Sequence, residues 1–284
     1  MLNIIDTHQH LWDLERFTFS WCRDVPQLNR SFLMEDYVAA TRGVQLVKSV
    51  HVEADVDEPH MLAETQYILQ LAERHDNPLA GVVAAARPEK SGFREHLARI
   101  AGHPKLKGIR RVLHTEPDEL INHPTLVENV RTLADDDLSF DLCVLERQLP
   151  LAVKLIESCP RTTFVLDHCG NPRIQDGALD AWRAWVRTAS DLPNVVCKIS
   201  GIVTNADHSH WTAEDLRPCV EHVIASFGWD RVLFGSDWPV CTLAASFRQW
   251  LDALLELTRD AAPAHRQLLF HDNAVKTYRL AIGG

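Results

Sequence analysis

The sequence lacks several features that would place it in other functional classes. No stretch approaches the ~20 consecutive apolar residues that a membrane-spanning helix needs, so a membrane-embedded role is not expected. Basic patches are missing: 29 lysines and arginines face 39 aspartates and glutamates, a net charge of -10. That balance turns away nucleic acid and anionic membrane as partners. The cysteines number seven, an odd count, with no Cys-x-x-Cys among them. Several lie in apolar strand-like runs, as reduced core thiols do, and not in a disulfide framework. With no basic-then-apolar leader at the start, the expected location is the cytoplasm. No Gly-x-Gly-x-x-Gly follows the first apolar run, so a dinucleotide-binding sheet lacks its phosphate loop. Internal repeats and low-complexity segments are absent too.

What is present is an alternation. Short apolar runs at residues 2–5, Val44–Val52, Leu79–Ala86, Lys107–Leu113, Phe140–Leu145, Thr162–Asp167, Val195–Ile199 and Arg231–Phe234 read as eight strands. They are nearly continuous in apolar residues, as strands buried on both faces are. Helical patterns separate them: Met34–Arg42 closed by Gly43, a long helix opened by Pro59, then Phe93–Ile100, Pro124–Ala134, Leu149–Ser158 and Leu179–Ala189. A helix capped by Thr212 with Asp215 runs to Phe227, and Ala244–Leu257 and Pro263–Leu280 finish the chain. Eight βα units in 284 residues predict one α/β domain over residues 1–284, a (β/α)8 TIM barrel. The irregular aromatic stretch Leu11–Leu33 is expected to wall a pocket.

In such a barrel, residues at the C-terminal ends of the strands converge on one site. Here those ends carry His8 and His10, Glu53, Arg110 and Arg111, His168, Lys198 and Asp237. His8 and His10, two apart on an extended chain, face one way and can bind a metal or hold an oxyanion and a proton. Strand-end histidines also often just meet solvent. Arg110 and Arg111 point to opposite faces, so one of them reaches inward at most. Lys198 in a buried strand calls for an acid or a place at the mouth. Glu53 is either a pocket residue or the start of an acidic loop. His51 shares its face and reads as a core histidine, while His208 and His210 read as solvated. Trp12, Trp21 and Trp238 offer flat apolar faces for a ligand at the mouth, and Arg110, Arg111, Glu53 and Lys198 offer polar contacts to it.

Three segments carry a resemblance. Ile5-Asp6-Thr7-His8-Gln9-His10-Leu11-Trp12-Asp13, Leu166-Asp167-His168-Cys169-Gly170 and Leu233-Phe234-Gly235-Ser236-Asp237-Trp238-Pro239 fall at the first, sixth and eighth strands. Together they resemble the amidohydrolase superfamily, in its amidohydrolase-related branch of sugar lactonases and pyrone dicarboxylate lactonases. The resemblance implies a hydrolase that opens a small-molecule sugar lactone, of L-fucono- or L-rhamnono-lactone type, to the aldonic acid. By the family pattern Asp237 is the general base, and His8, His10 and His168 bind one divalent metal or the lactone carbonyl. A strand-five histidine is missing in Asp141-Leu142-Cys143-Val144-Leu145, and Lys107 does not match a metal-bridging lysine. This argues against a binuclear site and leaves room for one divalent metal, zinc, on His8, His10 and Asp237, with its need for activity left open. A metal-dependent decarboxylase and a dicarboxylate lactonase are the alternatives, and the oligomeric state is left open.

Overall fold

The computed structural model describes residues 2–281. Eight strands, β1 (Ile4–Gln9), β2 (Leu46–Val52), β3 (Leu79–Ala85), β4 (Leu106–Val112), β5 (Ser139–Cys143), β6 (Phe164–Leu166), β7 (Val195–Ser200) and β8 (Val232–Gly235), lie side by side in chain order. Each neighbouring pair is parallel. β8 comes back to β1 through the Thr7 hydroxyl on Phe234 O at 2.6 Å and the Asp237 N–H on His8 O at 2.7 Å. The expected (β/α)8 barrel is the observed fold.

The outer ring holds α1 (Met34–Ala40), α2 (Met61–Glu73), α3 (Phe93–Ala98), α4 (Pro124–Thr132), α5 (Leu149–Ser158), α6 (Asp180–Ser190), α7 (Ala213–Phe227) and α8 (Phe247–Leu257). α7 starts where its signal predicts: the Thr212 N–H and hydroxyl both donate to Asp215. Two short pieces, α9 (Pro263–Gln267) and α10 (Asn273–Tyr278), replace the single last helix expected, with a π turn over Leu268–Asp272 between them. α8 also begins later than periodicity suggested. Ser246 and Gln249 form a capping box there, each backbone N–H bonded by the other's side chain. β6 stops at Leu166 because the chain turns at once into left-handed conformations at His168 and Cys169.

The barrel interior has two levels. The lower one is apolar: Ile5, Val50, Val52, Val83, Val165 and Leu233 meet Ala274, Tyr278 and Leu280, which plug the bottom. Above it the inward positions turn charged, because Arg110 pairs in register with Asp141, and Lys198 reaches the same level. Lys198 Nζ lies 2.8 Å from Asp141 and 3.0 Å from Asp167, so the acid its sequence position called for is present twice. The Tyr278 hydroxyl donates to Asp141 at 2.7 Å. All seven cysteines are free and buried. No helix among the described residues is long and apolar enough to cross a membrane.

Candidate active site

The β1 and β8 ends are joined by one carboxylate. Asp6 accepts the backbone N–H groups of His8 at 3.1 Å and Ser236 at 2.7 Å, and the hydroxyls of Ser236 at 2.6 Å and Tyr37 at 2.8 Å. Complete burial raises its pKa to about 6 against these four donors. Asp6 therefore acts as a staple that sets where His8 and Asp237 stand.

His10 Nδ1–H donates to Val52 O at 2.7 Å, which fixes the tautomer and leaves Nε2 as an acceptor. His8 turns Nδ1 to Asp167 at 3.3 Å. Its Nε2 sits 3.2 Å from His10 Nε2, 3.3 Å from Arg110 Nη1 and 3.6 Å from Asp237 Oδ1. The third edge, His10 Nε2 to Asp237 Oδ1, is 3.1 Å. Burial holds both imidazoles below their ordinary pKa. Three lone pairs thus converge on one point. Facing acceptors repel unless a shared proton or a cation lies between them. Tetrahedral zinc with N and O ligands at about 2.0–2.1 Å spaces its donors by about 3.4 Å, a value inside the observed 3.1–3.6 Å. The donor set fits one divalent metal, and Asp167 behind His8 supplies the carboxylate–histidine arrangement that orients such a ligand.

His168 faces this group from β6. Its Nδ1–H donates to Ser200 O at 3.1 Å, leaving Nε2 for the cavity. Burial disfavours its charge, yet Asp237, Cys143 and Asp167 outweigh burial and push its pKa up to about 9. It is an imidazolium at neutral pH. Asp55, His168 and Asp237 all adopt left-handed backbone conformations, with φ of 52°, 53° and 59°. For non-glycine residues such conformations are strained and gather at functional sites. Gly201 makes room for Asp237, since a Cβ added there would lie 2.5 Å from the Asp237 Cβ.

The remaining positive groups are already matched. Arg110 Nε donates to Glu53 at 2.7 Å, and Nη1 lies 3.5 Å from Asp167. Burial would raise the Glu53 pKa, but Arg110 and Arg87 overcome it and hold Glu53 ionised. Arg111 points the other way, to Glu89 at 3.0 Å and Glu116 at 2.9 Å, outside the cavity. Of the two arginines, Arg110 alone faces in.

A cavity of about 250 Å³ opens above these groups, lined by Trp12, Trp21, Ala54, Val112 and Val240 on its apolar side. His10, Asp55, Arg110, His114, Cys143, His168 and Asp237 supply the polar side. Of the residues expected to meet substrate, Trp12, Trp21 and Arg110 line this space. Glu53 and Lys198 lie buried beneath it as partners of Arg110 and Asp167. Trp238 packs outward on Phe32 and Tyr37, and Arg111 is elsewhere. His51 does not share the Glu53 environment: it is buried 3.4 Å from Glu64 on α2, because β2 ends at Val52 and the alternation ends with it. His208 and His210 are exposed, as expected. Asp55, His114 and Cys143 were not anticipated. Cys143 ends β5, so the strand-end rule alone would have found it.

The Amidohydrolase family profile matches residues 5–280. An L-fucono-1,5-lactonase of Burkholderia multivorans is 33% identical over 97% of this chain and 96% of its own length. One of Burkholderia ambifaria is 31% identical over 97% and 95%. The crystal structure of an amidohydrolase from Burkholderia multivorans with bound zinc superposes with a TM-score of 0.89 at 31% identity, covering 98% of this chain and all of that one.

Proposed function

This chain belongs to the amidohydrolase family, and on that premise we propose that it hydrolyses an uncharged sugar lactone, of L-fucono- or L-rhamnono-lactone type, to the aldonic acid. One observation carries the choice of an uncharged substrate. Each positive group at the mouth already faces a carboxylate: Arg110 faces Glu53 and Asp167, Lys198 faces Asp141 and Asp167, and His168 is held charged with Asp237. No unmatched cation remains among the described residues lining the cavity to hold a substrate carboxylate. A dicarboxylate lactone or an aromatic acid awaiting decarboxylation would need one. The lactonases of Burkholderia support the same substrate class.

Hydrolysis follows from the residues in place. Water held at Asp237 gives up a proton to its carboxylate and attacks the carbonyl carbon. Arg110 and the His168 imidazolium face the developing oxyanion with N–H donors in a buried setting. As the ring C–O bond breaks, the leaving alkoxide takes the His168 proton. The proton on Asp237 then passes to His168, restoring both groups, and the product carboxyl gives its proton to solvent, so the acid leaves ionised. His8, His10 and Asp237 would hold one zinc ion, which when bound polarises the carbonyl oxygen. Because Arg110 and His168 also stabilise that oxygen, removing metal lowers the rate without abolishing it.

The test is acid release from a panel of aldonolactones, followed with a pH indicator, with and without a strong chelator. Turnover of L-fucono- or L-rhamnono-lactones that survives the chelator supports the reading. Silence on neutral lactones with turnover of a dicarboxylate lactone, or decarboxylation lost entirely to chelator, overturns it.

A further inference from the structure

We infer that Asp55 selects the substrate by its ring hydroxyls, receiving one of them on a carboxylate held in a fixed place at the cavity wall. This deepens the lactonase reading and rests on it. Of the polar side chains facing the cavity, His10, Arg110, His168 and Asp237 already have places in the proposed reaction, and His114 and Cys143 face each other at 3.2 Å. Asp55 lines the same space with no step assigned to it. Its Oδ1 lies 3.5 Å from Arg87 Nη2, a long contact, and no donor among the described residues reaches Oδ2. The side chain keeps 31% of its surface accessible. It is a carboxylate with an oxygen to spare.

The segment that carries Asp55 is pinned at each residue. The Glu53 N–H donates to Val83 O at 2.9 Å, and Arg110 donates to Glu53 O. Ala54 O accepts the Trp21 indole N–H at 2.8 Å. The Asp55 N–H donates to Glu53 Oε2 at 2.7 Å, which closes the turn and holds Asp55 at a φ of 52°. Aspartate tolerates that left-handed conformation better than most side chains. Glu53 gives its other oxygen to Arg110, so one buried carboxylate positions both Arg110 and Asp55. An acceptor held this way has little freedom left to lose on binding. A carboxylate takes hydrogen bonds without giving any, and the hydroxyls of a sugar ring are donors that fit it. Arg87 offsets its charge, which suits a neutral donor over a cation. A site built to bond a hydroxyl rejects the analogue that lacks it, because the buried partner is left unpaired.

The experiment is calorimetric binding of L-fucono- and L-rhamnono-δ-lactams, neutral rings with N–H in place of the ring oxygen, and of analogues each lacking one ring hydroxyl. Wild type should bind one of these analogues more weakly than its parent by on the order of tenfold or more. Asp55→Asn keeps the shape and the left-handed backbone, and Asp55→Gly removes the side chain where glycine meets no strain. In both variants the gap between parent and analogue should shrink by on the order of tenfold. A merely structural role would weaken parent and analogues alike and leave the gap as wide as before. That result in folded variants overturns the inference, as does a wild type that binds no parent lactam or treats every analogue as its parent. Should neither variant fold, the wild-type comparison still decides. No lactam is hydrolysed in the measurement, so failure here is separate from failure of the proposed activity: lactone turnover with an unchanged gap removes Asp55 alone.

Discussion

Where β8 meets β1, the mouth is held by hydrogen bonds gathered on Asp6, whereas across the cavity β4, β6 and β7 hold it by ion pairs around Arg110 and Lys198. The two walls solve different problems. On the Asp6 side, four donors fix the positions of His8, Ser236 and Asp237 while the Asp237 carboxylate faces the cavity. On the Arg110 side, charge is brought into a buried space and matched there, so donors face the substrate without an unsatisfied charge behind them. Burying charge without partners would cost several kcal/mol per ion. The difference shows that one wall sets geometry and the other sets polarity, and substitutions should separate the two.

The largest effect should come from Asp237→Asn, which keeps the shape and removes the proposed base. Turnover should fall on the order of a thousandfold with thermal stability little changed. Undiminished turnover would place the base on the other wall. Next is Gly201→Ala, whose added methyl would meet Asp237 and whose backbone has a φ of 55°. A displacement of about 1 Å at a catalytic group costs on the order of a hundredfold. We expect the loss in kcat more than in KM, measured by steady-state kinetics. A rate equal to wild type would mean that Asp237 need not stand where the Asp6 wall puts it.

The polar wall answers to pH. In the proposed reaction His168 gives its proton to the leaving oxygen, so kcat/KM should hold below its pKa of about 9 and fall as pH rises through that value. The measurement is a background-corrected pH–rate profile of wild type and His168→Gln. The variant should be slower throughout and lack that alkaline limb. A limb retained in His168→Gln would assign it to another group. The smallest effect on activity should come from Tyr278→Phe at the barrel floor. It removes one donor from buried Asp141 and should cost about 1–3 kcal/mol of stability, read by denaturant unfolding, with kcat unchanged.

Much of this was legible in the sequence, for physical reasons. Buried parallel strands leave continuous apolar runs, so the barrel could be read, and polar residues at strand ends could be assigned to its mouth. Lys198 in an apolar strand called for an acid or a place at the mouth, and the fold gives it the acids. The alternation of Arg110 and Arg111 announced that they part, though not which one faces in. Reading failed where the chain leaves regular structure. Glu53 follows the last residue of β2, so the two-residue period that ties it to His51 no longer applied. Trp238 sits in a turn and points to Phe32 and Tyr37. Asp55 and His114 stand on loops whose direction depends on contacts far along the chain. Asp6, inside the first motif, gave no sign of its role because its partners Tyr37 and Ser236 are brought to it only by the closed barrel.

The central claim is that the cavity offers donors without spare positive charge. Its most direct test is the ratio of kcat/KM for a neutral aldonolactone to that for the same lactone carrying a carboxylate in place of its terminal carbon group. A preference for the neutral lactone on the order of a hundredfold or more is predicted, since a buried charge without a partner costs several kcal/mol. Equal rates, or a preference for the carboxylated lactone, would contradict the account and show that Arg110 or Lys198 is free to meet the substrate.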